Sequence, residues 1–356
     1  MTATWRRWAA RSDTLDHAIR RLRRSDDLER LTREVSRSSD DLERLTREVS
    51  ELRQQQGNLA SVERIYGPIS RLLQAPPSMG RFLTFQPAGH FYSPVPDMGE
   101  VSRKAAQIFE RDVELPGLAL NQEAQRRLFS VLASLARELD LAAKPTDSSR
   151  YWLDNPMFGV GDALILAAML RHLRPARYLE VGSGWSTALA MDINERWLDG
   201  SMTVTAIEPF PASLNRLLRP ADEIELLPLS VQDVPLERFT KLEAGDVLFI
   251  DCSHVVKVGS DAHHLVTRVL PALPAGVIVH FHDIFWPFEY SRAWIEEGRA
   301  WSEAYLLHAF LLFNPAFEML MFNDWLAFAE RSLVERELPA MLANPGASLW
   351  LRRTGN

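Results

Sequence analysis

A single cysteine, Cys252, stands in 356 residues. An intramolecular disulfide and a cysteine-built zinc site are therefore both excluded, and the chain reads as adapted to a reducing, cytoplasmic compartment. Lysine is almost as scarce, with Lys104, Lys144, Lys241 and Lys257 set against 36 arginines, and this draws attention to Lys257 beside an acidic motif described below. Net positive charge is missing as well. At a formal −7 the chain lacks the basic excess that phosphate neutralisation requires, which argues against a general nucleic-acid binder. No apolar run reaches membrane-spanning length without interruption: the richest, Ala304 to Phe322, is broken by His308, Asn314, Pro315 and Glu318, so no membrane span is expected. Trp5, Arg6, Arg7, Trp8 and Arg11 lead into Asp13 and Asp16 without an apolar segment, a start unlike a secretion leader. What is present in quantity is apolar core material, 46% of the chain, enough for about two to three domains' worth of globular protein.

The texture changes along the chain. SDDLERLTREVS occupies residues 25–36 and again 39–50, a spacing of two heptads. Leu28, Leu31, Val35, Leu42, Leu45, Val49 and Leu52 then fall at alternating three- and four-residue steps, with Ser38 as the polar seam position. That pattern predicts a coiled coil over residues 1–56, and because one apolar seam cannot bury itself, homo-oligomerisation is its expected use. Residues 57–145 read as a connector and helical cap. Pro68, Pro76, Pro77, Pro87, Pro94 and Pro96 divide its first part, and Leu128, Val131, Leu132, Leu135 and Leu139 mark an apolar helix face within Gln122–Leu141. A second helix is expected from Gly159 to Leu173.

From residue 146 to 356 a catalytic domain is expected. Five β-rich runs, at Arg177–Val181, Thr203–Glu208, Ile224–Leu229, Asp246–Asp251 and Gly276–His282, alternate with helical stretches of crossover length. This is the pattern of an α/β fold with a parallel sheet and helices on both faces. Two further runs, Phe317–Asn323 and Ser348–Arg353, complete seven strands with a C-terminal hairpin, the connection between them holding a helix.

After the first strand comes Glu180-Val181-Gly182-Ser183-Gly184-Trp185-Ser186-Thr187. A glycine turn opening a helix lets a ligand approach the backbone N–H groups. A nicotinamide fingerprint would place glycine where Thr187 stands, which weakens that reading. The order acid-x-Gly-x-Gly resembles motif I of class I S-adenosylmethionine-dependent methyltransferases, with Ser186 where many members carry a third glycine. The resemblance implies a Rossmann-like seven-stranded sheet and S-adenosylmethionine as cofactor. Glu180, Gly182, Ser183, Gly184 and Ser186 would form the loop, Glu208 after the second strand would accept the ribose hydroxyls, and Gln232 with Asp233 would meet the adenine. All would share the carboxyl edge of the sheet.

The fourth and fifth strands end in Phe249-Ile250-Asp251-Cys252-Ser253-His254 and His280-Phe281-His282-Asp283-Ile284. Asp251, His282 and Asp283 form a candidate metal set, its carboxylates suited to Mg²⁺ and its imidazole shifting preference toward a transition metal; Asp283 capping the next turn over a packed His282 is the alternative. The layout resembles metal-dependent catechol-type O-methyltransferases, but His254 stands where those carry a catalytic lysine, and His282-Asp283 replaces their acidic-amide pair. With an ordinary pKa of about 6.5, His254 is suited to take a proton from an acceptor hydroxyl. The expected catalytic group is thus His254, Asp251 and Asp283.

The stretches at Gly89–Asp97, Glu114–Gln125, Phe249–Asp261, His282–Tyr290 and Trp301–Leu311 together resemble a bacterial methyltransferase-24-like family over roughly residues 85–325. That resemblance implies an O-methyltransferase acting on a hydroxyl of a sugar, polysaccharide or glycosylated small molecule. The aromatic group Phe285, Trp286, Phe288, Tyr290, Trp294 and Trp301 fits either a sugar-stacking platform or core packing, and His90–Asp97 either a flap at the cofactor mouth or a strap packed on the sheet. A catalytically silent scaffold, recruited through its coiled coil to a glycan-assembly complex, is the competing function.

Overall fold

The computed structural model describes residues 86–355; the expected coiled coil lies outside the described residues. The chain divides after Ser93, and the second unit, Pro94–Asn356, carries the sheet. Among the described residues no helix is long and apolar enough to cross a membrane.

Seven strands line up in the order β3-β2-β1-β4-β5-β7-β6: β1 Arg177–Val181, β2 Thr203–Ile207, β3 Glu225–Leu227, β4 Val247–Ile250, β5 Ile278–Phe281, β6 Phe317–Phe322 and β7 Leu349–Arg353. The first five pair in parallel and β7 runs antiparallel to both β5 and β6. Continuous apolar runs such as Val247-Leu248-Phe249-Ile250 form the centre because helices cover a parallel sheet and leave no polar face to alternate with. The hairpin is present, and its connection holds two helices and a 3₁₀ turn rather than one helix.

Three of the flanking helices position the site: α1 Gln122–Ala136, α2 Val160–Leu173 and α3 Trp185–Trp197. On α1 the buried face is Gln125, Phe129, Leu132, Ala133 and Ala136, whereas Val131, expected to face inward, is 45% exposed. The face is rotated because Gln125 ties the helix to β6, accepting from Phe322 N at 2.8 Å while its amide donates to Leu120 O. Helix α2 is buried from Gly161 to Leu170, as a helix apolar all round must be. Its first turn docks on the approach to β7: Gly161 N donates to Asn344 O at 2.9 Å, and Asp162 accepts from Ala347 N and from the Ser348 hydroxyl. A Cβ on Gly161 would lie 2.2 Å from Pro345 O, so only glycine permits this approach.

A buried ion cluster fastens α3. Arg150 donates through Nη1 to Asp192 and Glu195, each at 2.7 Å, and through Nε to Asp222 at 2.8 Å, with Nη2 also on Asp222. The side chains of Arg150, Asp192 and Asp222 are 6%, 5% and 4% exposed. Removing the cation leaves two buried carboxylates uncompensated, a loss of about 3–5 kcal/mol. We expect Arg150→Ala to lower the urea midpoint by that much stability with an unchanged slope; a shift under about 1 kcal/mol would refute a structural role for the cluster.

Candidate functional site

Each parallel strand hands its next residue to the same edge. Gly182 N donates to Ile207 O, Glu208 N to Leu227 O, Asp251 N to Val181 O and His282 N to Ile250 O, at 2.8–3.0 Å. The sheet order reverses between β1 and β4, and a ligand crevice belongs at such a reversal. A cleft of about 390 Å³ opens there, lined among others by Gly182, Glu208, Phe210, Gln232, Asp251 and Lys257.

On one side of the cleft, Gly182 takes φ +82°, and a Cβ on it would sit 1.6 Å from the Asp251 carbonyl oxygen. Gly184 has nothing within 4 Å of where a Cβ would be, and the Ser183 hydroxyl is buried without a partner among the described residues. Glu208 accepts from Ser183 N at 3.2 Å through Oε2 and from Phe210 N at 2.7 Å through Oε1, which fixes its plane and leaves lone pairs for a diol. Open backbone, an unmet hydroxyl and an oriented carboxylate suit the ribose and tail of S-adenosylmethionine. Gln232 reaches the cleft while donating to Gly259 O at 2.7 Å. Asp233 lies on the exposed Val231–Asp233 turn and outside the cleft lining.

Glu180 and Ser186 sit behind the loop, not in the cleft. Glu180 is fully buried and accepts from the Ser186 and Thr187 hydroxyls, the latter at 2.5 Å. Thr187 also accepts from Gly184 N at 3.1 Å, so the acid fastens the loop to the start of α3. Burial pushes the Glu180 carboxyl up to about 8 against the opposing hydrogen bonds.

On the other side, His254 and Asp283 both adopt left-handed backbone, φ +58° and +59°, an uncommon state for non-glycine residues that collects at functional sites. His254 Nε2 lies 3.3 Å from Asp251 Oδ1 and 3.6 Å from Asp283 Oδ2. One ligand atom from each of Asp251, His254 and Asp283 falls within 4.8 Å of the others, a mixed oxygen and nitrogen set that fits a divalent ion. His282 stays outside this group. Its Nε2 lies 3.5 Å from Asp283 Oδ1, its ring packs against Phe158, and Nδ1 has no partner among the described residues. The expected metal set and the structural cluster therefore share both carboxylates and differ in the imidazole. Desolvation disfavours a charged His254, but its bonds to Asp251 and Glu303 prevail and raise it to about 10, so the ordinary value expected from sequence does not hold. Asp251, with desolvation opposing, is held below the usual aspartate value by His282 and His254.

Two residues of this neighbourhood went unassigned in the sequence. Glu303 bonds His254 Nδ1 at 3.0 Å and lay within a quoted stretch with no local signal of its role. Phe210, 82% exposed at the cleft, follows the Glu208-Pro209 turn. Of the aromatic group, Trp286, Phe288 and Tyr290 are buried core. Phe285, Trp294 and Trp301 form an edge-to-face chain that ends on His254, Trp301 lying 4.4 Å from its ring.

A family model described as a methyltransferase domain matches residues 179–284. An uncharacterized protein of Archaeoglobus fulgidus is 36% identical over 162 residues, covering 44% of this chain and 73% of that relative. Among solved structures, an SAH-bound methyltransferase from Podospora anserina aligns over 67% of this chain and 98% of its own, at 14% identity and a TM-score of 0.38. The O-methyltransferase TomG from Streptomyces achromogenes, involved in tomaymycin synthesis and in complex with SAM, aligns over 72% and 96%, at 14% identity and a TM-score of 0.35. Likenesses this distant transfer no residue roles.

The Glu180 shift makes stability depend on pH. Its folded value, about 8, exceeds the ordinary 4.5, so between those values the folded state holds a proton that the unfolded chain has released. Its contribution is full below about pH 4.5 and is lost as pH rises through about 8. Urea unfolding of Glu180→Gln at about pH 5, 7 and 9 should show a shallower alkaline decline than the parent chain. Identical slopes would mean that Glu180 is ionised throughout.

Proposed function

The chain belongs to the methyltransferase-domain family, and on that premise we propose that it transfers the sulfonium methyl of S-adenosylmethionine to a hydroxyl oxygen, with a sugar as the acceptor. The observation that carries this reading is the Glu208 carboxylate, fixed by two backbone N–H groups at one end of a cleft whose other end holds Asp251, the carboxylate beside His254 and Asp283.

S-adenosylmethionine supplies an already activated methyl group, so the protein's part is alignment and proton handling. In our reading Glu208 accepts the ribose hydroxyls, Gly182, Ser183 and Gly184 offer open backbone to the donor's tail, and Gln232 borders the adenine, while Asp233, outside the cleft lining, takes no part. Asp251 and Asp283 hold the acceptor hydroxyl against His254 Nε2. As the new C–O bond forms and the S–C bond breaks, the hydroxyl proton passes to Nε2. The Asp251 and Glu303 bonds raise His254, and positive charge beside Asp251 would offset them and free Nε2 to accept a proton, a role the sulfonium suits. Asp251, His254 and Asp283 are also the residues that would hold a divalent ion, which would supply Lewis acidity toward the hydroxyl. A sugar is favoured by the family resemblance; Trp301 itself is engaged by His254 and Arg299.

Calorimetric titration with S-adenosylmethionine should give saturable binding that weakens at least about tenfold in Glu208→Ala, the scale of losing hydrogen bonds to a charged group. Absence of binding at millimolar donor would favour a silent scaffold. In an assay of S-adenosylhomocysteine release over a panel of sugars, His254→Ala should lower kcat by about 10²–10⁴ while donor affinity is kept, the range of a lost general base. Normal turnover would remove His254 from the mechanism, and full parental activity in chelator would remove the ion.

A further inference from the structure

His254 is held by three consecutive residues from outside its own loop. Trp301 covers its ring at a centroid distance of 4.4 Å. Ser302 N and Glu303 N both donate to the His254 carbonyl, at 2.9 and 3.1 Å, and the Ser302 hydroxyl accepts from Val256 N at 2.9 Å. Glu303 Oε2 meets Nδ1 at 3.0 Å. Glu303 begins a helix, α4 Glu303–Leu311, whose start is itself fixed by Ala304 N donating to the Tyr290 hydroxyl at 3.1 Å.

Glu303 is fully buried. Its other oxygen accepts from Cys252 Sγ at 3.4 Å, and its ion-pair partner among the described residues is His254. An acid removed from water this completely is costly unless it meets a charge-bearing donor, and the donor it meets belongs to the proposed proton acceptor. A histidine has two ring nitrogens, and a carboxylate bound to one determines which atom the other presents. With Nδ1–H committed to Glu303, Nε2 is the nitrogen that faces Asp251 and Asp283.

We propose that Glu303 is a positioning residue that holds the proton on His254 Nδ1 and thereby fixes Nε2 as the atom offered to the acceptor end of the cleft. What Nε2 then does rests on the transferase reading; the grip on Nδ1 does not. Glu303 touches no reacting group, and it acts on the acceptor end through His254, its other oxygen being held by Cys252 Sγ.

The test uses the full chain labelled with ¹⁵N-histidine, the His254 ring signals being assigned by their loss in His254→Ala. The parent protein should show an Nδ1–H proton in slow exchange with water. Glu303→Leu should lose that signal and Glu303→Asp, whose carboxylate falls one methylene short, should speed its exchange at least about tenfold, while Glu303→Gln, which keeps an acceptor oxygen, should retain much of it. In the turnover assay, kcat should fall about 10–100-fold in Glu303→Leu, the range for losing a carboxylate that orients a functional histidine, with recovery in Glu303→Gln and unchanged donor affinity in both. If Glu303→Leu fails to fold, Glu303→Asp carries the comparison. An Nδ1–H signal missing from the parent chain, or undiminished in Glu303→Leu and Glu303→Asp, overturns the assignment. A parent chain that shows the signal but binds no S-adenosylmethionine instead overturns the transferase reading and leaves the grip of Glu303 on His254 standing.

Discussion

Four backbone hydrogen bonds just past the strand ends set the edge on which the cleft is built. Gly182, Glu208, Asp251 and His282 each donate to the neighbouring strand, so the residues that follow β1, β2, β4 and β5 are held level along one edge. The contact between Gly182 and Asp251 is the tightest of these constraints. The carbonyl of Asp251 occupies the place a Cβ on residue 182 would need, which means that the glycine loop and the acidic end of β4 can be adjacent only while residue 182 lacks a side chain. The glycine-loop side and the Asp251 side of the cleft are coupled at that point.

Charge is the second constraint. Asp251, Asp283 and Glu303 surround one imidazole, and the excess of carboxylates over cations explains why His254 is pushed up to about 10 despite its burial. An arrangement of this kind is poised for an incoming positive charge: a cation placed against the two exposed-side carboxylates both satisfies them and relaxes their hold on the Nε2 proton. A sulfonium and a divalent ion would each answer that electrostatic need.

Much of this was legible in the sequence, for identifiable reasons. All seven strands were visible as short apolar-rich runs; in the five parallel ones burial on both faces makes such runs the rule. Gly182, Glu208 and Asp251 followed from that logic, since their positions depend on local chain order. What depended on packing was less visible. The buried face of α1 turned toward Phe129 because Gln125 is recruited by Phe322, a contact spanning nearly the whole catalytic unit. His282, one residue past its strand and level with Asp251, was read as a ligand, yet its ring packs against Phe158 while the left-handed turn at His254 brings that ring into the acidic group. Glu303 comes from a helix with no motif of its own, and its meaning arises only from the burial that places it on Nδ1.

Environment, more than residue type, divides the labour among the acids. Glu180 and Glu208 close or nearly close adjacent strands, and both could be taken as cofactor ligands from their spacing. Glu180 is enclosed, bonded by two hydroxyls and pushed up to about 8, so at neutral pH it is predominantly a neutral clasp between the loop and α3. Glu208 reaches the cleft, where backbone N–H groups orient its oxygens without consuming all their acceptor capacity. A carboxylate that is to meet a diol has to remain accessible and aligned, whereas one that holds a loop shut can be buried; Glu180 is level with Ala206, two residues before Glu208, and that difference is enough to separate the two positions.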